Sequence, residues 1–527
     1  MKRFLAGILW VVIPFSLAGS AHAQFNANFQ TVTISGTASN WAGFGGYVVG
    51  SNTFGDVLLI ENGGALSNFD GIIGDLNAAS NNTAIVTDSG SVWSNYEGLA
   101  VGASGAGNNL VISNGGIVFV GPAAITMGAS AISSSNNTVT VTGTGSALTN
   151  NSDLYVGYIG KANRMTISAG GAVHDSTGYV GGSASSSNNI VIVTDPGSVW
   201  THDAVGRTGG GLMVFGEAST ANQMTTTNGG AVYSSNIIIG NATGSSSNIV
   251  TITSTGSVWS VSPGEGAGDL EVGLGGPANQ LTISDGAAVH ATFGILGGTS
   301  KNNIVTVTGT GSVWDSMTDL YVGSNGDTNT LTIGTGGSVV ASYAYVSYLA
   351  GAVGNRINIE GGSLVSSNVT IGNLNCSATG QITIDDGNLI VTNAAHNAVL
   401  EILSGTLTLN GGTTIIDTLV VTNSCARFVH AGGTLIVGSY VFNTNEFRST
   451  AVTPSSNDVL LTWMMGPGAT NALQAALGNV NGGFSTNAFT DIFVVTNNST
   501  AGTVTNYLDV GAGTNMPSRY YRVRLVP

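Results

Sequence analysis

Two carboxylates set one repeat apart are the residues best placed for acid–base chemistry. Glu360 closes the segment Ile357-Asn-Ile-Glu360 and Asp385 closes Ile382-Thr-Ile-Asp385, with Asp386 adjoining. Elsewhere in the chain that fourth place usually holds Ser or Thr. If the two segments are stacked strands, the carboxylates stand about 5 Å apart, close enough to raise one pKa and form an acid/base pair of the kind polysaccharide hydrolysis uses. Against this, Arg356 is the nearest base in sequence, so little would hold an acidic polysaccharide. A solvated acidic edge is the reading adopted, and no catalytic residue is assigned. Neither a phosphate-binding Gly-rich loop, a Gly-x-Ser-x-Gly elbow, a His-Glu-x-x-His motif nor a Cys-x-x-Cys pair occurs. The six His are scattered. No metal site and no cofactor is expected.

The elements that would position such residues come from an internal repeat. Gly-Ser-Val-Trp occurs at Gly90–Trp93, Gly197–Trp200, Gly256–Trp259 and Gly311–Trp314, with a degenerate copy at Gly145–Leu148. Leu-x-Val-Gly follows, as at Leu99–Gly102, Leu154–Gly157, Leu270–Gly273 and Leu320–Gly323. A Leu-Thr-Ile-Ser-x-Gly segment comes next, as at Leu281–Val289. This long period divides in two, because Val305–Val313 aligns with Leu281–Val289. The unit is therefore about 27 residues with three short strands, and the Trp marks alternate units.

An Asn stands two residues before the first apolar residue of each unit: Asn82, Asn108, Asn137, Asn163, Asn189, Asn222, Asn248, Asn279, Asn303, Asn329 and Asn355. The spacing between them varies while the position does not, so length variation lies in loops. Asn tolerates left-handed turn conformations, and stacked amides can hydrogen-bond from coil to coil. These eleven are read as a structural ladder.

Within a unit, apolar residues at positions one, three and nine alternate with Thr or Ser, the period of half-buried strands. The fold class predicted is all-β: a parallel β-helix of about 16 coils between Val32 and Phe442, expected to be right-handed and about 77 Å long at strand spacing. Position nine is almost always apolar and is assigned inward, so position ten should face out. Position ten holds Trp93, Phe119, Leu148, His174, Trp200, Tyr233, Trp259, His290 and Trp314. Two readings stay open for this row. It is either lateral packing, or a stripe in which Trp93, Trp200, Tyr233, Trp259 and Trp314 stack on a glycan or partner.

The chain resembles repeat proteins associated with type V secretion and PEP-CTERM sorting in Gram-negative bacteria. Asn302–Trp314, Leu320–Gly323 and Leu331–Gly337 carry the likeness, which covers roughly Thr31 to Ser366. It implies an exported β-helix in the style of an autotransporter passenger, with no catalytic residues to carry over. The last nine residues hold no apolar sorting helix, and the stretch after the repeat is too short for an outer-membrane barrel. Val459–Trp463 and Tyr520–Leu525 read as strands around a looser middle, resembling a fibronectin-type-III-like sandwich. In the latter, Arg522 and Arg524 alternate, as on one solvated strand face.

The domains expected are a signal peptide at 1–23, the β-helix at 24–442, a linker at 443–457 and a C-terminal module at 458–527. Lys2 and Arg3 precede an apolar run, and Ala21-His-Ala23 is a cleavage site that would leave Gln24 first. No later run is long and apolar enough to span a bilayer. Only 7% of the 527 residues are charged, and the net charge of −15 disfavours nucleic acid as a partner. Cys376 and Cys425 are placed two coils apart, about 10 Å, beyond the reach of a disulfide. The function expected is an exported, non-catalytic structural or adhesive surface protein. Extracellular glycan or other surface proteins are its partners, and a carbohydrate-binding or polysaccharide-active β-helix is the alternative.

Overall fold

The computed structural model describes residues 25–36, 45–203, 211–261, 268–442, 449–466, 468–478, 483–499, 503–514 and 518–526. The predicted signal peptide and part of the predicted linker lie outside these residues. Val, Ile and Leu at every second place, broken by Gly turns, cannot build amphipathic helices, and the described chain is all-β. Its main body is a parallel β-solenoid with about 14 turns. First strands stack from Thr31–Ser35 through Val57–Glu61 and Thr83–Thr87 to Ala426–His430. The regular turns lie between two end coils: at the N-terminal end the second side is not described, and at the C-terminal end the inner residues Phe428, Leu435, Val437 and Tyr440 are only partly buried.

Each coil supplies three short strands whose alternate side chains enter one continuous core. In Ile304–Thr308, for instance, Val305 and Val307 are fully buried, while Thr306 and Thr308 lie at the surface. Outward hydroxyls hydrogen-bond along the rod, as Ser168 Oγ does to Thr142 Oγ1 (2.9 Å). A surface so paired needs few charges.

Both ends are covered by apolar residues. Phe25 is buried in the solenoid core, whereas Phe29 is exposed and packs edge-on against Phe54. At the other end Met464 joins the same core and Val504 packs on it. These two belong to the C-terminal module, which consists of two three-stranded antiparallel sheets. One runs Ser449–Ser455, Asp458–Met465, Thr503–Asp509; the other runs Thr490–Thr496, Thr470–Leu477, Arg519–Val526. Leu461, Trp463, Met465 and Leu473 form their shared core.

Two expectations are corrected here. Ser449–Ser455, assigned to a linker, is an edge strand; Pro454 is tolerated because an edge leaves one side of the strand unpaired. The looser middle holds three further strands. Arg522 and Arg524 do share a face, where Arg524 pairs with Asp491 (2.6 Å) and Arg522 Nε donates to Gln474 Oε1 (2.6 Å).

The cysteines require a larger correction, because Cys376 and Cys425 are bridged, with Cα atoms 5.9 Å apart. Coil spacing misleads because both lie in loops, and the turn between them contracts to Leu403 and Ser404, leaving the outer loops free to meet. Asn423 Nδ2 also donates to Leu374 O (2.9 Å) across the same gap. Closing a loop of 49 residues removes about 4 kcal/mol of unfolded-state entropy. Reduction should therefore loosen the last coils selectively. Hydrogen exchange should rise in 376–442 under reductant while the ladder from Asn82 to Asn355 stays protected, and equal protection in both states would refute the clasp.

Candidate functional site

The structure places the eleven ladder Asn and the four repeated Trp inside. Every ladder Asn is fully buried. At Asn222, Nδ2 donates to Asn248 Oδ1 (2.9 Å) and to Ser219 Oγ (2.7 Å), and the backbone N–H donates to the same Asn248 oxygen (3.1 Å). Asn222 Oδ1 in turn accepts the backbone N–H (3.1 Å) and Nδ2 (3.0 Å) of Asn189. The two donations to the following Asn Oδ1 recur at each step from Asn82 to Asn355. Asp56 occupies the place before Asn82; its backbone N–H donates to Asn82 Oδ1 (3.0 Å), and its carboxylate takes the Gln30 N–H (2.9 Å) and the Thr53 hydroxyl. The Gly after Leu-x-Val belongs to this ladder too. A Cβ on Gly273, which has φ +76°, would overlap the Asn303 amide.

The aromatic row is where the sequence reading fails. Trp93, Trp200, Trp259 and Trp314 are buried in the core, and the Val before each faces outward. Trp259 lies in register with Val232 and Val289, which are position nine of the flanking units. The cause is one residue. Between Ile252 and Val258 the turn is one residue longer than between Thr226 and Ala231, although both ends pair. A one-residue offset exchanges the two faces of a strand. The row therefore splits. Leu148 joins the four Trp inside, whereas Phe119 and Tyr233 (43% exposed) face solvent. Rings so enclosed cannot stack on a glycan along a lateral stripe.

The extra residue has its own work. Ser91, Ser146, Ser198, Ser257 and Ser312 are buried, and each Oγ accepts a turn N–H of the preceding coil, from Gly63, Gly115, Gly170, Gly229 and Gly286, at 3.0–3.1 Å. Three indoles are also satisfied across the coil step, Trp93 by Asn68 (2.7 Å), Trp200 by Asp175 (2.5 Å) and Trp259 by Thr226 (2.8 Å). Asp175 also meets His202 Nδ1 at 2.6 Å, with both side chains fully enclosed.

The carboxylates Glu360, Asp385 and Asp386 are exposed. A register shift puts Asp386, not Asp385, beside Glu360, and Asp385 instead accepts Asn410 Nδ2 (2.7 Å). His290 approaches Asp315 (3.6 Å).

What the sequence reading missed is the variable place in Leu-x-Val-Gly. It faces outward, and Asp-Leu-Tyr-Val-Gly recurs at Asp153–Gly157 and Asp319–Gly323. In each copy the Tyr stacks on the Tyr of the next coil: Tyr155 on Tyr179 at 4.6 Å, Tyr321 on Tyr345 at 4.9 Å. A loop Tyr meets the stack edge-on, Tyr158 in the first and Tyr348 in the second. The phenol also donates to the Asp of its own strand, Tyr155 to Asp153 (3.2 Å) and Tyr321 to Asp319 (3.0 Å). Burial first, and then the neighbouring carboxylate, pushes the pKa of Tyr155 and Tyr321 well up, so both phenols stay protonated donors. These two clusters are an aromatic surface of the kind that one of the two readings assigned to the Trp row. No protein-family model matches the chain, and no curated protein matches it in sequence.

Proposed function

We propose that the chain is an exported, non-catalytic scaffold of the cell surface, structural or adhesive, built like the passenger of an autotransporter. The observation that carries this reading is where the repeated residues go. Asn, Ser, Gly and Trp, which recur at fixed places, all build the stack itself: Asn and Ser bond from coil to coil, Gly makes room for the Asn amide, and Trp fills the core. What repeats is a device for length, while the outer face varies from coil to coil. The Cys376–Cys425 bridge supports an oxidising destination, since disulfides persist outside the cytoplasm. It agrees with the cleavable leader read at 1–23 and with a Gram-negative export route. Among the described residues no helix is long and apolar enough to cross a membrane. The small C-terminal sandwich, fibronectin-type-III-like in sequence, serves in this reading as the end cap through Met464 and Val504.

Expression of the full precursor in a Gram-negative host tests the reading. The expected product is extracytoplasmic, begins at Gln24, has both thiols blocked, and leaves reducing-end concentrations unchanged over a panel of polysaccharides. An uncleaved cytoplasmic product with free thiols would overturn export, and measurable chain cleavage would overturn the non-catalytic assignment.

A further inference from the structure

Tyr321 and Tyr345 are outward residues in register on adjacent third strands, and their rings lie 12° from parallel. Rings stacked between neighbouring coils have their normals along the rod. Tyr343, two residues before Tyr345 on the same strand, is 10° from parallel with it at 6.5 Å. The two rings thus stand side by side as a shelf projecting from the sheet. On the following coil their register partners are Asn368 and Thr370, and beyond these stand Val399 and Glu401. None of these is a ring, so the shelf faces turned that way rise above a low, largely polar floor. Tyr348 stands edge-on against the stack (4.9 Å from Tyr345) and closes one side. Tyr343 is 45% exposed. The other cluster is not open in this way, because the coil after Tyr179 presents Val214, which is 1% exposed.

We propose that the shelf of Tyr343 and Tyr345 binds a pyranose unit of a neutral polysaccharide. An aromatic face matches the C–H face of a sugar ring, and polar side chains beside it fix the hydroxyls. Asn368, Thr370 and Glu401 form the floor, and Asp319 is the register neighbour of Tyr343 on the other side. The charge around the shelf selects the class of sugar. The two outward rows that build it, from Asp269 and Glu271 to Ser439 and Val441, contain no Lys or Arg. Their carboxylates repel a uronate or sulfated chain. This site rests on the reading of the chain as a surface scaffold, and supplies its ligand.

The test is affinity electrophoresis of the full chain in gels containing mixed-linkage β-glucan, galactomannan or dextran, with polygalacturonate as the anionic comparison. At least one neutral polymer should retard the protein. Tyr343→Ala should weaken that retardation about tenfold or more, since ring stacking contributes on the order of the free energy of one decade in affinity. Thr370→Trp, which leaves both Tyr in place but stacks on the open face of Tyr345 and fills the floor, should do the same, and so guards against a Tyr343 variant that misfolds. Tyr233→Ala, an exposed ring on another face, should leave it unchanged. Retardation that survives Tyr343→Ala and Thr370→Trp, or that only polygalacturonate produces, would overturn the shelf. So would an elongated, exported protein that no neutral polymer retards, and that outcome leaves the scaffold reading standing.

Discussion

Asn222→Leu should lower stability by roughly 3–5 kcal/mol, a large loss for a side chain that touches no ligand. The backbone N–H of Asn189 donates to Asn222 Oδ1 and would be left without that acceptor while fully buried. An orphaned buried donor costs about 1–3 kcal/mol. Asn189 Nδ2 keeps Ser186 Oγ (3.0 Å) but loses its second acceptor, and Asn248 Oδ1 loses one of two donors. The branched Leu side chain must also fit against Gly181, whose Cα already faces the Asn222 amide. Coils interact only with neighbours, so the damage should be local first. Hydrogen exchange should rise around 189–248 before the melting temperature falls, and Thr225→Val, on the outer face of the same coil, should change neither. Asn222→Asp should be nearly as costly. It keeps the acceptor for Asn189 but turns an oxygen toward Asn248 Oδ1. Asp56 escapes that conflict because its second oxygen has the Thr53 hydroxyl. A melting temperature for Asn222→Leu within a degree of wild type would mean the amides are dispensable.

The ladder was legible because it needs no counting across a turn. Asn222 precedes its strand directly, and a position fixed against the strand keeps its orientation whatever the loops do. Trp259 lies on the far side of a turn whose length differs between alternate units, and there the count from the first strand fails by one residue. The signal that would have corrected it was present: Gly256-Ser257 stands before Val258-Trp259, whereas Gly230-Ala231 stands before Val232. A Ser beside a hydrophobic run looks like surface in a sequence, yet Ser257 is buried because it accepts the Gly229 N–H of another coil. Such a partner is 28 residues away and invisible to local patterning. The Cys376–Cys425 bridge was hidden for a related reason. Coil spacing measures strands, and cysteines in loops meet when an intervening turn is short. The Tyr343–Tyr345 shelf escaped because Leu-x-Val-Gly, which Ala344–Ser347 replaces on this coil, was read for its inward residues, whereas Tyr345 sits at x and Tyr343 just ahead of it.

Trp259→Ala should cost about 3–5 kcal/mol, the range for emptying an aromatic site in a packed core. Its ring is fully enclosed, lies 6.4 Å from Phe215, and stands in register between Val232 and Val289. Removing it opens a cavity that neighbours cannot fill, since the strands above and below are pinned by their own ladders. Thr226 Oγ1 is also left buried without the indole donor. A glycan stripe would have required the opposite outcome, lost binding with unchanged stability, so one variant separates the two readings of the Trp row. Trp200→Ala should be the more damaging of the pair. Asp175 accepts the Trp200 indole and meets His202, all three with their side chains fully buried. Loss of the indole leaves Asp175 Oδ2 buried without its donor, which costs about 1–3 kcal/mol beyond the lost packing. The order expected by thermal melts is wild type, then Trp259→Ala, then Trp200→Ala. Equal losses would mean that Asp175 finds another donor, and a Trp259→Ala chain as stable as wild type would place that ring outside the core.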